Sequence, residues 1–360
     1  MNVLHLVSGR ATTGPVAAAL TDVRALRAAG HRAWLASRDG SGPEYSCAAH
    51  GVPFVGGFRF GKGAARLLNL PRDARRLREL CGELGLDIVH VHRSHDQLVA
   101  GWALRGNARR CCVRTWHRDP GLLAGPLRRH LSAATNAHLC VSSAHVGALH
   151  EIGARHAAYM PPGVDTACYR PIEKPAHAPC RIGLVGRWKS REDRGQRAFL
   201  EVLRRLRPEA AWRGVLLGHG EDRANLERLL AEHPYGDRIE LLKTTDRFAQ
   251  QVAELDLGLV FATGSDGSSR PALEMLACGV PLLLADRPGL RELGEGNRGA
   301  RVLPVSAPDA WAQACTEWLE APDLRLRAGA AAREVAEERH ALVVHGRRLA
   351  EFYGRALQPW

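Results

Sequence analysis

Short apolar runs alternate with longer amphipathic segments along almost the whole chain. Each apolar run has the length of a strand, and the amphipathic segments carry apolar residues at the three- and four-residue spacing of a helix. Strands that alternate with helices of about ten residues or more predict parallel sheets built from right-handed βαβ units. The predicted strands are 2–8, 31–37, 87–92, 111–117, 138–143, 181–186, 212–218, 238–243, 255–263 and 281–286.

The segments between these strands have helical periodicity, and proline and glycine mark several of their ends. The periodicity of 64–84 is broken at Pro71, where we expect an interruption because proline lacks the backbone N–H that a helix interior needs. The predicted helices are 15–29, 64–84, 96–105, 195–206, 221–232, 246–254, 271–279, 310–321 and much of 324–357.

The alternation stops over residues 160–180, MPPGVDTACYRPIEKPAHAPC. This segment is rich in proline and has neither a helical nor a strand period, as is typical of a linker between domains. The fold class predicted is therefore α/β, with two doubly wound parallel-sheet domains over 1–168 and 169–343 and a C-terminal helix over 344–360. Ligands of open α/β sheets bind at the carboxyl ends of the strands, so we expect them in a cleft that the two domains face.

Composition and charge narrow the class of partner. Of the 360 residues, 45% are hydrophobic and 24% charged, which is typical of a globular protein. The net charge of +12 lies almost wholly in residues 1–175, which contain 23 Lys and Arg and 12 Asp and Glu. Residues 176–360 contain 27 Lys and Arg and 26 Asp and Glu. An anionic membrane surface, a phosphorylated acceptor and nucleic acid all fit this basic half, as does a merely soluble basic surface. Sparse aromatics and the lack of a recognised motif disfavour nucleic acid.

The cysteines and the apolar runs indicate the cellular compartment in which we expect the protein. The nine cysteines include no C-x-x-C pair, which favours reduced thiols and disfavours a structural zinc site. No apolar run approaches the roughly 18–20 residues that span a bilayer. The N-terminal apolar stretch is too short for a secretory signal, so we expect a cytoplasmic protein.

Two strand-to-helix loops carry candidate ligand groups. The loop 186–196, GRWKSREDRGQ, places Arg187, Lys189, Arg191 and Arg194 after a strand and before a helix, an arrangement that suits a diphosphate. A solvated cationic loop is the alternative. In GHGEDRANLERLL, 218–230, Gly218 and Gly220 allow a ligand close to the backbone, although an ordinary tight turn needs the same residues.

A third loop, in SDGSSRPALEMLACGVP, carries two acids. The helix that begins near Ser269 offers unsatisfied N–H groups and a positive dipole end. Glu274 lies one turn into that helix, where its carboxylate can accept hydroxyl hydrogen bonds from a ribose. Asp266 lies in the loop, nearer the reacting end of such a ligand. Alternatively, Glu274 only complements the dipole and Asp266 only makes a turn.

These motifs resemble glycosyltransferase family 4, whose fold is GT-B. The family has an acid, seven residues, then Glu, and this chain has Asp266 and Glu274 followed by MLACGVP. Two departures are Asp266 where Glu is usual and Arg194 where Lys is usual, and the loop ATTGP (11–15) is poorer in glycine than the family's. The other similar segments are 186–196, LLGHGEDRANLERLL, PPGVD (161–165), LRAAGH (26–31) and DIVHVHRSHD (87–96), so the resemblance covers almost the whole chain.

The resemblance implies two Rossmann-like domains, a C-terminal helix that crosses back to the first, and a role for each motif residue. It assigns His117, which ends the strand VRTWH, to the donor sugar, although a strand-end histidine bound to backbone is the alternative. A metal site at His90, His92 and His95 is disfavoured, because no cysteine or carboxylate cluster joins them, so no metal is expected. The implied catalytic residues are His117, Asp266, Arg187 and Arg194, and the implied donor-binding residues are Gly14, Gly186, Gly218, Gly220, Lys243, Ser268, Ser269, Arg270 and Glu274.

The activity implied is retaining, metal-independent sugar transfer from a nucleotide-sugar, a UDP-sugar on family frequency, to a saccharide or lipid-linked acceptor. No other cofactor is expected. The basic first half favours work at the inner membrane surface, in the synthesis of cell-envelope polysaccharide or lipopolysaccharide. The alternatives are a GT-B epimerase or phosphorylase, and a nucleotide-sugar-binding protein without turnover. A phosphorylase would need a pyridoxal lysine, and none of the four lysines is convincingly placed for it.

Overall fold

The computed structural model describes residues 1–61, 63, 65–106, 110–117, 135–154, 156–174, 179–189, 195–262 and 270–358. The described chain divides into two units, each with its own parallel sheet and helices. The first comprises Met1–Gly163 together with the C-terminal helix, and the second is formed within Val164–Ala341. The predicted domain boundaries, at 168 and 343, lie five and two residues further along the chain than these.

Seven parallel strands form the sheet of the first unit, in the order β3-β2-β1-β4-β5-β6-β7 among the described residues. The central strands β4 and β5 are buried along their whole length. This is expected for a parallel sheet whose two faces are both covered by helices. The elements are β1 (Asn2–Leu6), α1 (Gly14–Ala28), β2 (Arg32–Arg38), α2 (Gly42–Ala49), β3 (Phe54–Phe58), α3 (Ala65–Glu83), β4 (Ile88–Val91), α4 (Ser94–Ala103), β5 (Cys111–Trp116), β6 (Ala137–Cys140), α5 (Val146–Glu151) and β7 (Ala157–Tyr159).

The second unit contains a parallel sheet of six described strands, in the order β10-β9-β8-β11-β12-β13. Its core is one continuous cluster, in which Phe261 stacks on Trp311 with ring centroids 4.2 Å apart. The elements are β8 (Cys180–Val185), α6 (Gln196–Leu203), β9 (Trp212–Gly218), α7 (Arg223–Ala231), β10 (Ile239–Lys243), α8 (Phe248–Ala253), β11 (Leu257–Val260), α9 (Arg270–Ala277), β12 (Leu282–Ala285), α10 (Arg291–Gly294), β13 (Ala300–Leu303), α11 (Pro308–Glu320) and α12 (Pro322–Val335).

The C-terminal helix, α13 (Leu342–Ala356), packs on α1 of the first unit. The two helices approach closely, because a Cβ on Gly346 would lie only 2.0 Å from the carbonyl oxygen of Ala25. Leu349, Phe352 and Tyr353 enter the core of the first unit from this helix. The last fifteen helical residues therefore complete a core that begins with strand β1.

The two Rossmann-like parallel sheets confirm the predicted fold class. The prediction of an interruption at Pro71 was wrong, because α3 continues through it from Ala65 to Glu83. The carbonyl that loses its helical partner belongs to Leu67, and both residues are exposed, so water can satisfy that group. Sequence analysis also missed β3, FVGGF, in which a Cβ on Gly56 would collide with the Asp39 carboxylate.

The nine cysteines are all free thiols, and Cys168 alone is exposed. Among the described helices, none combines the length and the apolar character that a bilayer crossing needs.

Candidate functional site

Three basic side chains lie at the carboxyl edge of the second sheet. Arg187 follows β8, His219 follows β9, and Lys243 ends β10, and these three strands are neighbours. All three side chains are exposed. Partial burial lowers the pKa of His219, and the positive charges of Arg187 and Lys243 lower it further. His219 is therefore held in its neutral form between two permanent cations, and the edge as a whole suits an anion.

The predicted glycines of this edge pack loop against loop. The N–H of Gly186 donates to the carbonyl of Leu217 at 3.0 Å, and the N–H of Trp188 donates to the carbonyl of His219 at 2.9 Å. A Cβ on Gly218 would lie 1.9 Å from the carbonyl oxygen of Gly186, and a Cβ on Gly220 would lie equally close to that of Trp188. The close packing of the neighbouring loop therefore requires glycine at both positions. That a ligand binds next to these glycines stays a prediction.

Gln196 is a residue of this site that sequence analysis missed. It is buried at the start of α6, and its side-chain amide donates to the backbone carbonyl of Arg187 at 3.0 Å. The next residue, Trp188, is also buried, and its backbone N–H donates to the carbonyl of His219. The backbone that carries Arg187 is thus tied at consecutive residues, so its exposed side chain extends from an ordered base.

Glu274 lies in the first turns of α9 and is only 6% exposed. Tyr169, from the proline-rich segment, donates a hydrogen bond to it, and burial together with this negative charge raises the pKa of the Tyr169 hydroxyl. Arg333 holds the same segment, since its guanidinium donates to the backbone carbonyl of Tyr169 at 2.7 Å. Glu274 therefore already serves one hydroxyl of the protein, and the ribose contact predicted for it must use the rest of its accepting capacity.

Two further predicted residues each begin a helix, and several others lie outside the described residues. Arg270 is the first residue of α9, and its charge acts on Tyr169, which puts it beside Glu274. Gly14 is the first residue of α1 in the first unit. The predicted residues that lie outside the described part of the chain are Arg194, Asp266, Ser268 and Ser269, together with Arg191 of the cationic loop.

His117 directly follows β5 in the first unit and is 6% exposed. Its Nε2 lies 3.1 Å from Nδ1 of His92, whose own Nε2 lies 3.0 Å from Nδ1 of His5. Burial, followed by the charges of the neighbouring imidazoles, lowers the pKa of His5 and of His92 well below the ordinary value. His117 thus belongs to a row of buried rings, whereas the sequence pattern indicated His90, His92 and His95 only as candidate metal ligands.

The loop before α1 is fixed by a buried acid. Asp96 of α4 accepts a hydrogen bond from the backbone N–H of Ser8 at 2.9 Å, and burial raises the pKa of Asp96 to about 6. Its neighbour His95 packs edge-on against Phe60, with ring centroids 5.8 Å apart, and not with the other histidines. Within residues 90–96, His92 therefore belongs to the row of buried rings, whereas His95 and Asp96 pack against other segments.

Two family models match the chain over most of its length. Residues 14–167 match the model described as Glycosyltransferase Family 4, and residues 179–321 match that described as Glycosyl transferases group 1. The chain belongs to the family 4, group 1 glycosyltransferases. No curated protein sequence matches it.

Solved structures of this kind share the fold at low identity. HepE of Anabaena, solved with UDP, is 17% identical with a TM-score of 0.79, over 99% of this chain and 100% of that one. A glycosyltransferase from Rickettsia africae ESF-5 is 14% identical with a TM-score of 0.81, over 100% and 99%. The lipopolysaccharide outer core galactosyltransferase WaaB is 14% identical with a TM-score of 0.72, over 99% of each chain. The fold is GT-B, as the sequence predicted.

Proposed function

We propose that this glycosyltransferase moves a sugar from a UDP-sugar to a saccharide or lipid-linked acceptor, with retention of the anomeric configuration. The observation that carries the proposal is the exposed cationic edge formed by Arg187 and Lys243 around His219. Two fixed cations at the ends of adjacent strands suit a diphosphate, which gains negative charge as its bond to the sugar breaks. HepE, which shares the fold, was solved with UDP, and this supports uridine as the base.

The remaining roles follow from the family pattern. Arg187 and Arg194, with the amides of Ser268, Ser269 and Arg270, hold the diphosphate. Glu274 anchors the ribose, Asp266 orients the sugar hydroxyls, and His117 bonds the sugar. Gly14, Gly186, Gly218 and Gly220 leave room for the donor next to the backbone, while Lys243 adds charge.

The chemistry needs no group beyond the two substrates. The bond between the anomeric carbon and the diphosphate oxygen breaks, and a bond to the acceptor oxygen forms on the same face of the sugar. The acceptor proton passes to a diphosphate oxygen. Because arginine and lysine side chains already supply positive charge, we propose that a metal ion is not required.

Slow hydrolysis tests this proposal without knowledge of the acceptor, since water can take its place. The protein is incubated with UDP-glucose, UDP-galactose or GDP-mannose, with and without EDTA, and the released sugar is followed by proton NMR. We expect release from a UDP-sugar, with the α-anomer appearing first and EDTA without effect. Release of the β-anomer first, or loss of activity with EDTA, would contradict the retaining or the metal-independent part respectively.

The same experiment separates the alternatives. An epimerase would convert the sugar to its isomer, and a binding protein without turnover would leave the donor intact. Arg187→Ala should stop the release, whereas Arg213→Ala should not, because Arg213 is equally exposed but lies near the amino end of β9.

We also propose that the first unit meets the anionic inner surface of the cytoplasmic membrane, where cell-envelope polysaccharide or lipopolysaccharide is assembled. The structural support is α3, on which Leu67 and Leu68 are 68% and 80% exposed. Arg72 and Arg75 are exposed on the same helix. Apolar side chains that are flanked by arginines suit a surface of anionic lipid.

Vesicle co-sedimentation tests this surface. We expect binding to vesicles that contain phosphatidylglycerol and none to phosphatidylcholine alone, and a clear loss with Leu68→Ser. The matched control is Leu326→Ser in α12 of the second unit, which removes a leucine that is 70% exposed. Equal binding of both variants, or no binding of the unaltered protein to the anionic vesicles, would refute the membrane proposal.

A further inference from the structure

A continuous row of hydrogen bonds crosses the core of the first unit and includes His117. The rings come from three neighbouring strands, since His5 lies on β1, His92 follows β4 and His117 follows β5. The distance is 3.0 Å between Nδ1 of His5 and Nε2 of His92, and 3.1 Å between Nδ1 of His92 and Nε2 of His117. All three side chains are buried.

The row continues in the other direction to the C-terminal helix. Nε2 of His5 lies 3.5 Å from the Tyr353 hydroxyl, which lies 2.6 Å from Nδ1 of His90. Nε2 of His90 lies 2.7 Å from the hydroxyl of Thr115. His90 and Tyr353 are fully buried.

Each neutral imidazole has one N–H donor and one acceptor nitrogen, so its two bonds cannot be set independently. Burial lowers the pKa of His5, His90 and His92, which keeps these rings neutral at pH 7. The part of the row that joins His5, His92 and His117 directly therefore has two consistent proton arrangements, whereas the hydroxyls beside His90 can either donate or accept. In one, every ring donates towards His117, and in the other every ring donates away from it.

Asp22 of α1 distinguishes the two arrangements. Its Oδ2 lies 3.9 Å from Nδ1 of His5, while its Oδ1 lies 2.7 Å from Nε2 of His345. A carboxylate favours an N–H over a lone pair at the nitrogen it faces, and the effect is strong in a buried site. Nδ1 of His5 therefore carries the proton and donates to His92. His92 in turn donates from Nδ1 to Nε2 of His117.

We propose that His92 and His5 are positioning residues that hold neutral His117 with its proton on Nδ1. His117 then presents an N–H donor, and not an acceptor, to a hydroxyl of the transferred sugar. The contribution to transfer rests on the proposed function, whereas the tautomer itself does not. Asp22 sets the direction of the row, although the sequence pattern gave this residue no chemical role.

The same region has the spacing of a metal site, because His5, Asp22, His90 and His92 offer ligand atoms that all lie within 4.8 Å of one another. The hydrogen bonds argue against that use. Both nitrogens of His92 face imidazole nitrogens, and both nitrogens of His90 face hydroxyls. A metal would have to break most of these bonds, whereas the row satisfies them all with neutral rings.

Nitrogen-15 NMR of histidine-labelled protein at pH 7.5 tests the tautomer directly, with the His117 signal assigned from His117→Asn. We expect a single Nδ1–H form of His117, and a mixture of tautomers in Asp22→Asn. A single Nε2–H form, or a mixture in the unaltered protein, would overturn the proposal. So would equimolar zinc in the purified protein, measured by elemental analysis.

Two conservative variants separate positioning from mere packing. The amide nitrogen of His92→Asn takes the place of Nδ1 and can still donate to His117, whereas His92→Gln reaches towards His5 instead. We expect His92→Asn to keep the Nδ1–H form and to keep kcat within about threefold. His92→Gln should lose the single tautomer and lower kcat about tenfold or more, with KM for the donor nearly unchanged.

The control is His138→Asn, which alters another buried histidine on the neighbouring strand β6. His138 accepts a hydrogen bond from Trp116 and is not part of the row. It should leave the His117 signal and kcat unchanged. Equal effects of His92→Asn and His92→Gln on the tautomer would refute the proposal even if the protein transfers no sugar, so its failure is distinguishable from that of the proposed function.

Discussion

The two units hold their polar chemistry in opposite ways. The first buries it within the sheet, where His5 and His90 have no exposed surface, whereas the second leaves Arg187 and Lys243 exposed at the carboxyl edge of its sheet. Both arrangements lie on the same kind of parallel sheet with helices on its faces. The fold therefore does not decide between them, and the residues within and after the strands do.

The difference matters for what each unit can do. A buried imidazole resists a charge because desolvation penalises it, so the rings of the first unit can orient a partner but cannot neutralise an anion. The cations of the second unit keep their hydration until a ligand replaces it. We infer that the second unit supplies charge to a diphosphate and the first supplies a fixed neutral group.

Acid should destabilise the first unit strongly. The pKa values of His5, His90 and His92 are lowered in the folded state, so below about pH 6.5 the unfolded chain binds protons that the folded chain does not. Stability is then lost as the pH falls through this range, by up to about 4 kcal/mol for three rings at pH 5.5. Asp96, whose pKa is raised to about 6, binds a proton in the folded state and offsets this in part. We expect a net loss of about 3 kcal/mol.

Urea titrations at pH 7.5 and 5.5 measure this loss. His5→Gln removes one of the three rings, so the difference between the two pH values should shrink by about 1.4 kcal/mol. A free energy of unfolding that is the same at both pH values would show that the buried rings are not held neutral.

Tyr169→Phe sharpens the contrast from the side of the second unit. It removes a hydroxyl that bonds the buried, negatively charged Glu274, and hydrogen bonds to charged groups contribute more than neutral ones. We expect a loss of about 2 kcal/mol in the free energy of unfolding, measured in urea at pH 7.5. UDP affinity should change little, because the ribose contact proposed for Glu274 uses its remaining accepting capacity; a tenfold loss of affinity would contradict that division.

Tyr353→Phe is the matched change in the first unit and should have the smallest effect. Its hydroxyl bonds the neutral ring of His90, so we expect a loss of about 1 kcal/mol under the same conditions. A larger loss for Tyr353→Phe than for Tyr169→Phe would reverse the expected order. It would mean that the hydroxyl bonded to the neutral rings contributes more to the free energy of unfolding than the hydroxyl bonded to the buried charge.

Much of the fold could be predicted because hydrophobic periodicity is local. The predicted helix 271–279 corresponds to α9 at Arg270–Ala277, and the predicted strand 212–218 corresponds to β9. The hydrophobic pattern did not predict β3, because a tertiary contact sets part of the sequence of that strand. One glycine of β3, Gly56, is needed because the Asp39 side chain occupies the space beside it. The residues next to Gly56 in the sequence do not indicate that contact.

The candidate site was predictable only in part. The positions of Arg187 and Lys243 at the carboxyl edge of the sheet could be predicted because each follows or ends a predicted strand, and their roles stay predictions. Tyr169 could not be predicted, since it lies 105 positions from Glu274. Gln196 lies only nine positions from Arg187, but no periodic pattern in the sequence relates the two residues. The row that contains His117 could not be predicted either, because it joins β1, β4, β5 and the C-terminal helix, which meet only in the folded unit.

The exposed cations of the second unit are proposed to bind a nucleoside diphosphate. Calorimetric titration with UDP, UMP and GDP, on the unaltered protein, Arg187→Ala and Arg213→Ala, tests it most directly. We predict that UDP binds more tightly than UMP or GDP, and that Arg187→Ala weakens UDP about a hundredfold while leaving UMP nearly unchanged. Arg213→Ala should match the unaltered protein. Equal affinities for UDP and UMP, or an Arg187→Ala protein that binds UDP normally, would contradict the claim.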